Sequence, residues 1–415
     1  MSESNICVIT NPVKISSQGA FQRTASVDAF DRLRVSDLDT LFDSKQIYSN
    51  GGLQFVEETL SGSGSFDWVQ ARATTDITIN AGAGRLLRQS KRYFNYQPGK
   101  SLFIIVTFCM NNSANKVDLE NRVGYYDDDD GIYFSESDGA LSIVKRSSVS
   151  GSPVNTSISQ GSWNIDPFDG SGPSGVTLDV TKSQIFVADL EWLGVGAVRT
   201  GFVIDGILYY AHEFRHANIG NSVYMSTPNL PVRWEVIGGA SNPGGTLQAI
   251  CCSVASEAGD DNTGFNYSVD CGRSPVNTDD DLRSIVGIRL KATHNRATVR
   301  PSGIRIVCTT NAYFRWALIL NPSRGVGTAA NFQDLANTAI QVDITSTQIL
   351  TGGFVIASGY GTTSFDAAEL STINNALTLA SDYAGNSDEL VLAVQNAGTT
   401  SSDNYFGSLD IIERL

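Results

Sequence analysis

Short apolar segments that alternate residue by residue and stop at Asp-Gly turns constrain this chain more than any other feature of it. Gly131 to Val144 reads GIYFSESDGALSIV, two alternating runs around Ser137-Asp138-Gly139. Val198 to Glu213 reads VRTGFVIDGILYYAHE, with Asp205-Gly206 in the same role. Successive side chains of a strand point to opposite faces, so a two-residue period marks a half-buried strand and the Asp-Gly pair a hairpin turn. Asp76 to Asn80 (DITIN) alternates likewise, and Ser183 to Leu193 (SQIFVADLEWL) repeats the pattern. Ser101 to Phe108 (SLFIIVTF) is apolar almost throughout, fit for a strand covered on both faces. Helical periodicity is absent over these stretches.

Composition agrees. Only 17% of the 415 residues are charged, against 41% hydrophobic, and the chain holds 39 glycines. Long solvated helices need a charged outer face, whereas short strands need turn residues. The length predicts two or three domains. The expected fold class is all-β: two packed antiparallel β-sandwich or jelly-roll domains preceded by an extended N-terminal arm. The arm takes residues 1–50, the first sandwich 51–257, a polar linker 258–281 and the second sandwich 282–415. Leu370 to Leu379 is the one modest helix candidate.

A net charge of -14 gives no electrostatic support to nucleic-acid binding or to docking on an anionic membrane. The longest apolar run, Leu102 to Cys109, falls far short of a helical membrane span of about 18 residues. The start, MSESNICVITNPVK, lacks the charged-then-apolar pattern of a secretory signal. Six scattered cysteines, Cys7, Cys109, Cys251, Cys252, Cys271 and Cys308, read as reduced residues of a protein folded in a cytoplasm. The vicinal Cys251 and Cys252 point to opposite strand faces, which disfavours a redox pair.

Three constellations carry potential chemistry. His212-Glu213-Phe214-Arg215-His216 matches the H-E-x-x-H zinc motif, which needs a helix to bring both imidazoles to one metal. Here it follows a hairpin, and positions four apart on a strand lie roughly 13 Å apart; loop or interface histidines are the plainer expectation. Asp127-Asp128-Asp129-Asp130 ahead of Gly131 offers carboxylates, Asp127, Asp128 and Asp130 among them, for a calcium cage, but lacks the EF-hand spacing. A solvated acidic loop is the alternative, and no cofactor is expected. Asp189-Leu190-Glu191-Trp192, followed by Val203-Ile204-Asp205-Gly206, resembles the back end of concanavalin-like jelly rolls, shared by lectins and laminarinase-type hydrolases. Asp189 and Glu191 share a face, yet the hydrolases' further acid is absent, so a structural or glycan-contacting sandwich is the main expectation. Phe66 and Trp68 are either a sugar-stacking platform or core residues.

Longer phrases resemble a family of virion structural proteins of tailed phages, particularly those of marine and cyanobacterial hosts. They include Phe30-Asp31-Arg32-Leu33-Arg34-Val35-Ser36, Leu41-Phe42-Asp43-Ser44-Lys45 and Tyr96-Gln97-Pro98-Gly99-Lys100-Ser101. Arg146-Ser147-Ser148-Val149-Ser150-Gly151, Glu191-Trp192-Leu193-Gly194-Val195-Gly196, Gly201-Phe202-Val203-Ile204-Asp205-Gly206 and Leu230-Pro231-Val232-Arg233 extend the likeness over roughly residues 25 to 255. The resemblance implies a non-enzymatic protein of the particle, made in host cytoplasm, as capsid decoration, minor capsid protein, or tail or fibre-base component. It also implies homo-oligomers, with a trimer foremost, contacts with major capsid or tail proteins, and no catalytic residues to carry over. Phe30, Arg32, Leu33, Arg34, Leu41 and Phe42 are the expected assembly contacts of the arm. Recognition of host-surface glycan is the alternative function, and a polysaccharide depolymerase a more distant one.

Overall fold

The computed structural model of the chain describes residues 38–110, 116–257, 264–272, 276–278, 280–309, 313–362, 364–367, 377–397 and 403–414. Fifteen strands lie in the first part. They are β1 Leu38–Lys45, β2 Phe55–Ser61, β3 Gly64–Val69, β4 Thr74–Ile79, β5 Gly84–Ser90, β6 Leu102–Cys109, β7 Leu119–Tyr126 and β8 Gly131–Ser137. Then come β9 Ala140–Ser147, β10 Val154–Ser159, β11 Gln184–Leu190, β12 Val198–Ile204, β13 Ile207–Phe214, β14 Val232–Gly238 and β15 Gly245–Glu257. Among the described residues they form two sheets. Sheet I runs β13-β12-β11-β6-β15-β4-β3 with β1 also on β15; sheet II runs β10-β9-β8-β7-β14-β5-β2. Pairing is antiparallel throughout.

Alternation sets the layers. Ile104, Val106 and Phe108 of β6 and Phe186 and Ala188 of β11 face Val123 of β7, Phe134 of β8 and Trp234 of β14 in one buried core. Phe134 bridges the sheets, its ring 5.7 Å from Phe108, 6.0 Å from Phe186 and 5.3 Å from Phe202. Both hairpin turns have the left-handed pair that type I′ geometry requires: Asp138 and Gly139 at φ 51° and 82°, Asp205 and Gly206 at 50° and 79°.

The second part adds β16 Phe265–Asp270, β17 Val276–Thr278, β18 Arg283–Leu290, β19 Thr298–Cys308, β20 Tyr313–Leu320, β21 Ser323–Arg324 and β22 Gln333–Asp334. It continues through β23 Ile340–Asp343, β24 Leu350–Thr351, β25 Phe354–Thr362, β26 Ser364–Ala367, β27 Glu389–Asn396 and β28 Asp403–Arg414. Sheet III runs β16-β28-β19-β26-β25-β20-β27-β18-β23-β22, with β17 also on β28. It folds over on itself: a Cβ placed on Gly407 of β28 would sit 2.8 Å from Ile285 of β18 and 3.4 Å from Leu392 of β27. Ile285, Ile288, Leu318, Leu392, Tyr405 and Leu409 fill that second core. The fold is therefore all-β, in two packed antiparallel units.

Two sequence expectations change here. Residues 265–270 and 276–278, read as part of the linker, form β16 and β17 and pair with β28, because Tyr267 and Val269 have a core to cover. Leu41 and Phe42, read as arm contacts, lie on β1, which pairs with β15; Phe42 stacks within 5.9 Å of Phe55 and 5.2 Å of Phe94. Their apolar faces are thus spent on the chain's own core. Phe30, Arg32, Leu33 and Arg34 lie outside the described residues. Of the helix candidate only 377–379 are described, as irregular chain with Leu377 and Leu379 buried. Among the described residues no helix is long and apolar enough to cross a membrane.

Candidate functional site

The β9–β10 hairpin separates two cavities, one on each face; of the polar residues singled out in the sequence, His216 lines one and Asp128 the other. The first opens at the mouth of the sandwich, between β9–β10 of sheet II and the segment after β13 of sheet I. It is a cleft of about 650 Å³ lined by Lys145, Ser147, Val154, Thr156, His216, Ile219 and Tyr224, among others.

His212 and His216 do not converge on a common point. His212 is buried on β13, its Nδ1 accepting from the Asn164 N–H at 3.3 Å. His216 lies past the strand's end, stacked on Tyr224 at 4.0 Å with the rings 8° apart. Its Nδ1–H donates to the Gly196 carbonyl at 2.6 Å, which leaves Nε2 to accept from the Lys145 ammonium at 3.0 Å. Glu213, the would-be base, is salt-bridged to Arg215 at 2.7 Å. No group of three or more metal-ligating side chains occurs among the described residues. The extended backbone is the reason, since it spreads the histidines that a helix would align.

Burial, then the nearby Lys145 charge, lower the His216 pKa from 6.5 to about 4, against the pull of the Gly196 carbonyl. The unfolded chain therefore takes up the proton first. The stabilisation is complete above pH 6.5 and is lost as pH falls toward 4. His216→Asn is expected to flatten that part of the melting-temperature profile; parallel profiles for the two proteins would refute the assignment.

The acidic run is neither a calcium cage nor a solvated loop. The Asp127 carboxylate caps the turn, accepting from the N–H groups of Asp129 and Asp130 at 2.9 Å each, and pairs with Arg296 of the second domain. Asp130 is fully buried and accepts from the backbone and hydroxyls of Ser148 and Ser226. Asp128 accepts from Arg85 and Arg233 at 2.6 Å each and from the Tyr383 hydroxyl of the second domain. Burial would raise its pKa; Arg233, then Tyr383 and Arg85, overcome that and hold the carboxyl well below the usual range. The turn is thus a latch between the domains. Arg296 over Tyr93, Arg233 over Tyr383, and Lys91 facing Asp388 at 3.9 Å extend it. Gly131 closes the turn at φ 141°, where a Cβ would lie 2.1 Å from Tyr126 Cβ.

The second cavity, on the outer face of sheet II, is lined by Arg85, Arg122, Asp128, Arg146 and Asn155, with Ile237 and Pro153 as apolar walls. Glu235, fully buried, sits opposite Arg122 in register and holds Arg85 Nε at 2.6 Å, Tyr126 Oη at 3.1 Å and Arg122 Nη1 at 3.4 Å. Apart from Asp128, these residues are not among the candidates read from the sequence. Glu120-Asn121-Arg122 and Arg233-Trp234-Glu235 were the available signal, since opposite charges two apart on a strand share a face.

The remaining candidates are structural in their contacts. Asp189 is buried on β11, bonded to Arg199 at 2.5 Å and to the Tyr210 hydroxyl at 2.8 Å. Glu191 follows the strand, its carbonyl receiving the Tyr224 hydroxyl at 2.8 Å. Phe66 packs against the first core, and Trp68 donates to the Gln46 carbonyl at 2.8 Å. Cys109, Cys251, Cys252 and Cys271 are free thiols, and burial pushes the Cys252 thiol up.

No family model matches the sequence, and no curated protein does. Solved structures with a similar chain path include an endo-1,3-β-glucanase from Streptomyces sioyaensis, at 12% identity and TM-score 0.36, covering 54% of this chain and 98% of that one. The carbohydrate recognition domain of Emp47p gives 10%, 0.34, 54% and 100% in the same order. The exoplasmic/lumenal domain of VIP36, with Ca²⁺ and Man3GlcNAc bound, gives 10%, 0.33, 55% and 93%. At these scores the likeness stands as a similarity over about half of this chain and carries no argument about what the chain binds.

Proposed function

We propose that the chain is a non-enzymatic structural protein of a tailed-phage particle, placed on the capsid as a decoration or minor protein, or in the tail or fibre base. The observation that carries the reading is an exposed apolar patch on the second domain. Tyr313 of β20 is 67% exposed and Tyr360 of β25, which pairs with Arg315 two residues along, is 74% exposed, both on the sheet face turned away from the second core. Large exposed aromatics on one sheet face suit contact with another subunit. The exposed edge strand β10 adds backbone donors and acceptors for the same purpose. Copies of itself, a trimer foremost, and major capsid or tail proteins are the partners this reading supplies. The sequence phrases that resemble virion structural proteins of tailed phages support particle residence independently.

Mass spectrometry of purified particles, with antibody labelling in electron micrographs, tests the reading. The chain is expected in stoichiometric amount at a fixed site; its absence from particles would end the proposal.

A second reading rests on the sandwich-mouth cleft. Val154, Ile219 and Val223 give it an apolar rim, while Ser147, Thr156 and Lys145 bring hydroxyls and an ammonium to the same space. Sugar rings present an apolar face and a hydroxyl edge, so host-surface glycan is the ligand class this lining suits. A glycan array showing no retained sugar would remove this reading and leave the first untouched.

A further inference from the structure

We infer that the cavity on the outer face of sheet II binds a single oxyanion group, the carboxylate or sulfate of an acidic sugar. This stands apart from both readings above, since it needs neither particle residence nor the sandwich-mouth cleft.

Charge is the first argument. Arg85, Arg122, Arg146 and Arg233 meet three carboxylates, Glu120, Asp128 and Glu235, around the cavity. Four positive against three negative leaves one positive charge in excess, in a chain whose net charge is -14. The excess sits on Arg146. That side chain is 8% exposed, and among the described residues no carboxylate lies within ion-pair distance of it. Among the described residues its guanidinium donates only to neutral acceptors: Asn155 Oδ1 at 2.9 Å, the Asp127 carbonyl at 3.2 Å and the Tyr133 hydroxyl at 3.4 Å. A buried guanidinium without a counter-charge is costly unless an anion completes it.

Geometry is the second argument. Arg146 and Arg122 each lie 5.4 Å from the centre of the Tyr133 ring, so one fixed aromatic holds both guanidinium groups. Arg122 is further locked by Glu120 at 2.7 Å through both Nε and Nη2. Little ordering remains to be done on binding. The volume, about 420 Å³, falls within the range of about 300–1,000 Å³ typical of small-molecule sites.

Size and walls name the ligand class. One surplus charge matches one anionic group and not a run of phosphates. Ile237 and Pro153 offer apolar surface for a ring beside that group. Asn155, exposed on β10, can yield its place on Arg146 Nε to the incoming oxyanion, a stronger acceptor than an amide.

Isothermal titration calorimetry at constant ionic strength tests this on the full chain with glucuronate, glucose and sodium sulfate. Glucuronate and sulfate are expected to bind and glucose not. Sulfate alone would keep the oxyanion site and assign its source as a free anion. Asn155→Asp places a carboxylate on Arg146 from an exposed position, so it is expected to weaken binding by about tenfold or more while the unfolding midpoint holds or rises. Asn155→Ala is expected to retain binding. Failure of both anions to bind, equal binding of glucose, or unchanged affinity in Asn155→Asp would overturn the inference.

Discussion

Glu235→Gln is expected to cost about 3–5 kcal/mol of unfolding free energy, because removing one member of a buried ionic cluster leaves the others without compensation. Glu235 is fully buried, and its two oxygens serve Arg85, Arg122 and Tyr126, with Arg233 at 4.0 Å. Glutamine preserves the shape and removes the charge. The four arginines around the outer cavity would then face two carboxylates instead of three. Arg85 and Arg122 keep Asp128 and Glu120, which argues for the lower end of the range. Burial also pushes the Tyr126 hydroxyl well above its ordinary value, with the Glu235 charge adding to the effect, so it remains a donor in need of an acceptor. Urea titration measures the loss. A change below about 1 kcal/mol, in the range of an exposed pair, would mean that solvent already supplies what Glu235 is assigned.

Phe134→Ala is the second large effect, expected to cost about 3–5 kcal/mol as a deletion in a core that cannot collapse around the void. The ring belongs to sheet II yet packs on Phe108, Phe186 and Phe202 of sheet I and lies 6.4 Å from Trp163. Its loss separates the layers at their most aromatic point. The effect should fall on the first unfolding transition only, since Phe134 has no part in the second core. An equal shift of both domains would show that they unfold as one cooperative unit.

Much of the fold could be read along the chain because strand period and turn chemistry are local properties. The strand read at Ser101 to Phe108 is β6, one residue further along at each end, and both Asp-Gly pairs turn where expected. What escaped depends on distant partners. Asp127, Asp128 and Asp130 read as solvated because nothing nearby in sequence announces Arg296, Tyr383 or Ser226. β16 and β17 read as linker because their pairing partner, β28, begins more than a hundred residues later. His216 was singled out for a metal motif, yet its neighbours are Tyr224, Lys145 and Gly196, each brought in by a different strand or loop. Arginines and glutamates alternating with apolar residues look like a wet sheet face. Here Arg233 and Glu235 face away from the core and are buried all the same.

The turn at Asp127–Asp130 has a mechanical consequence. A load applied across the two domains reaches Asp127 and Asp128 through Arg296 and Tyr383. Ionic contacts of this kind weaken with salt where they meet solvent, and Asp128 is 41% exposed. The force needed to part the domains should therefore drop as ionic strength rises, while each sandwich, held by its apolar interior, keeps its own resistance.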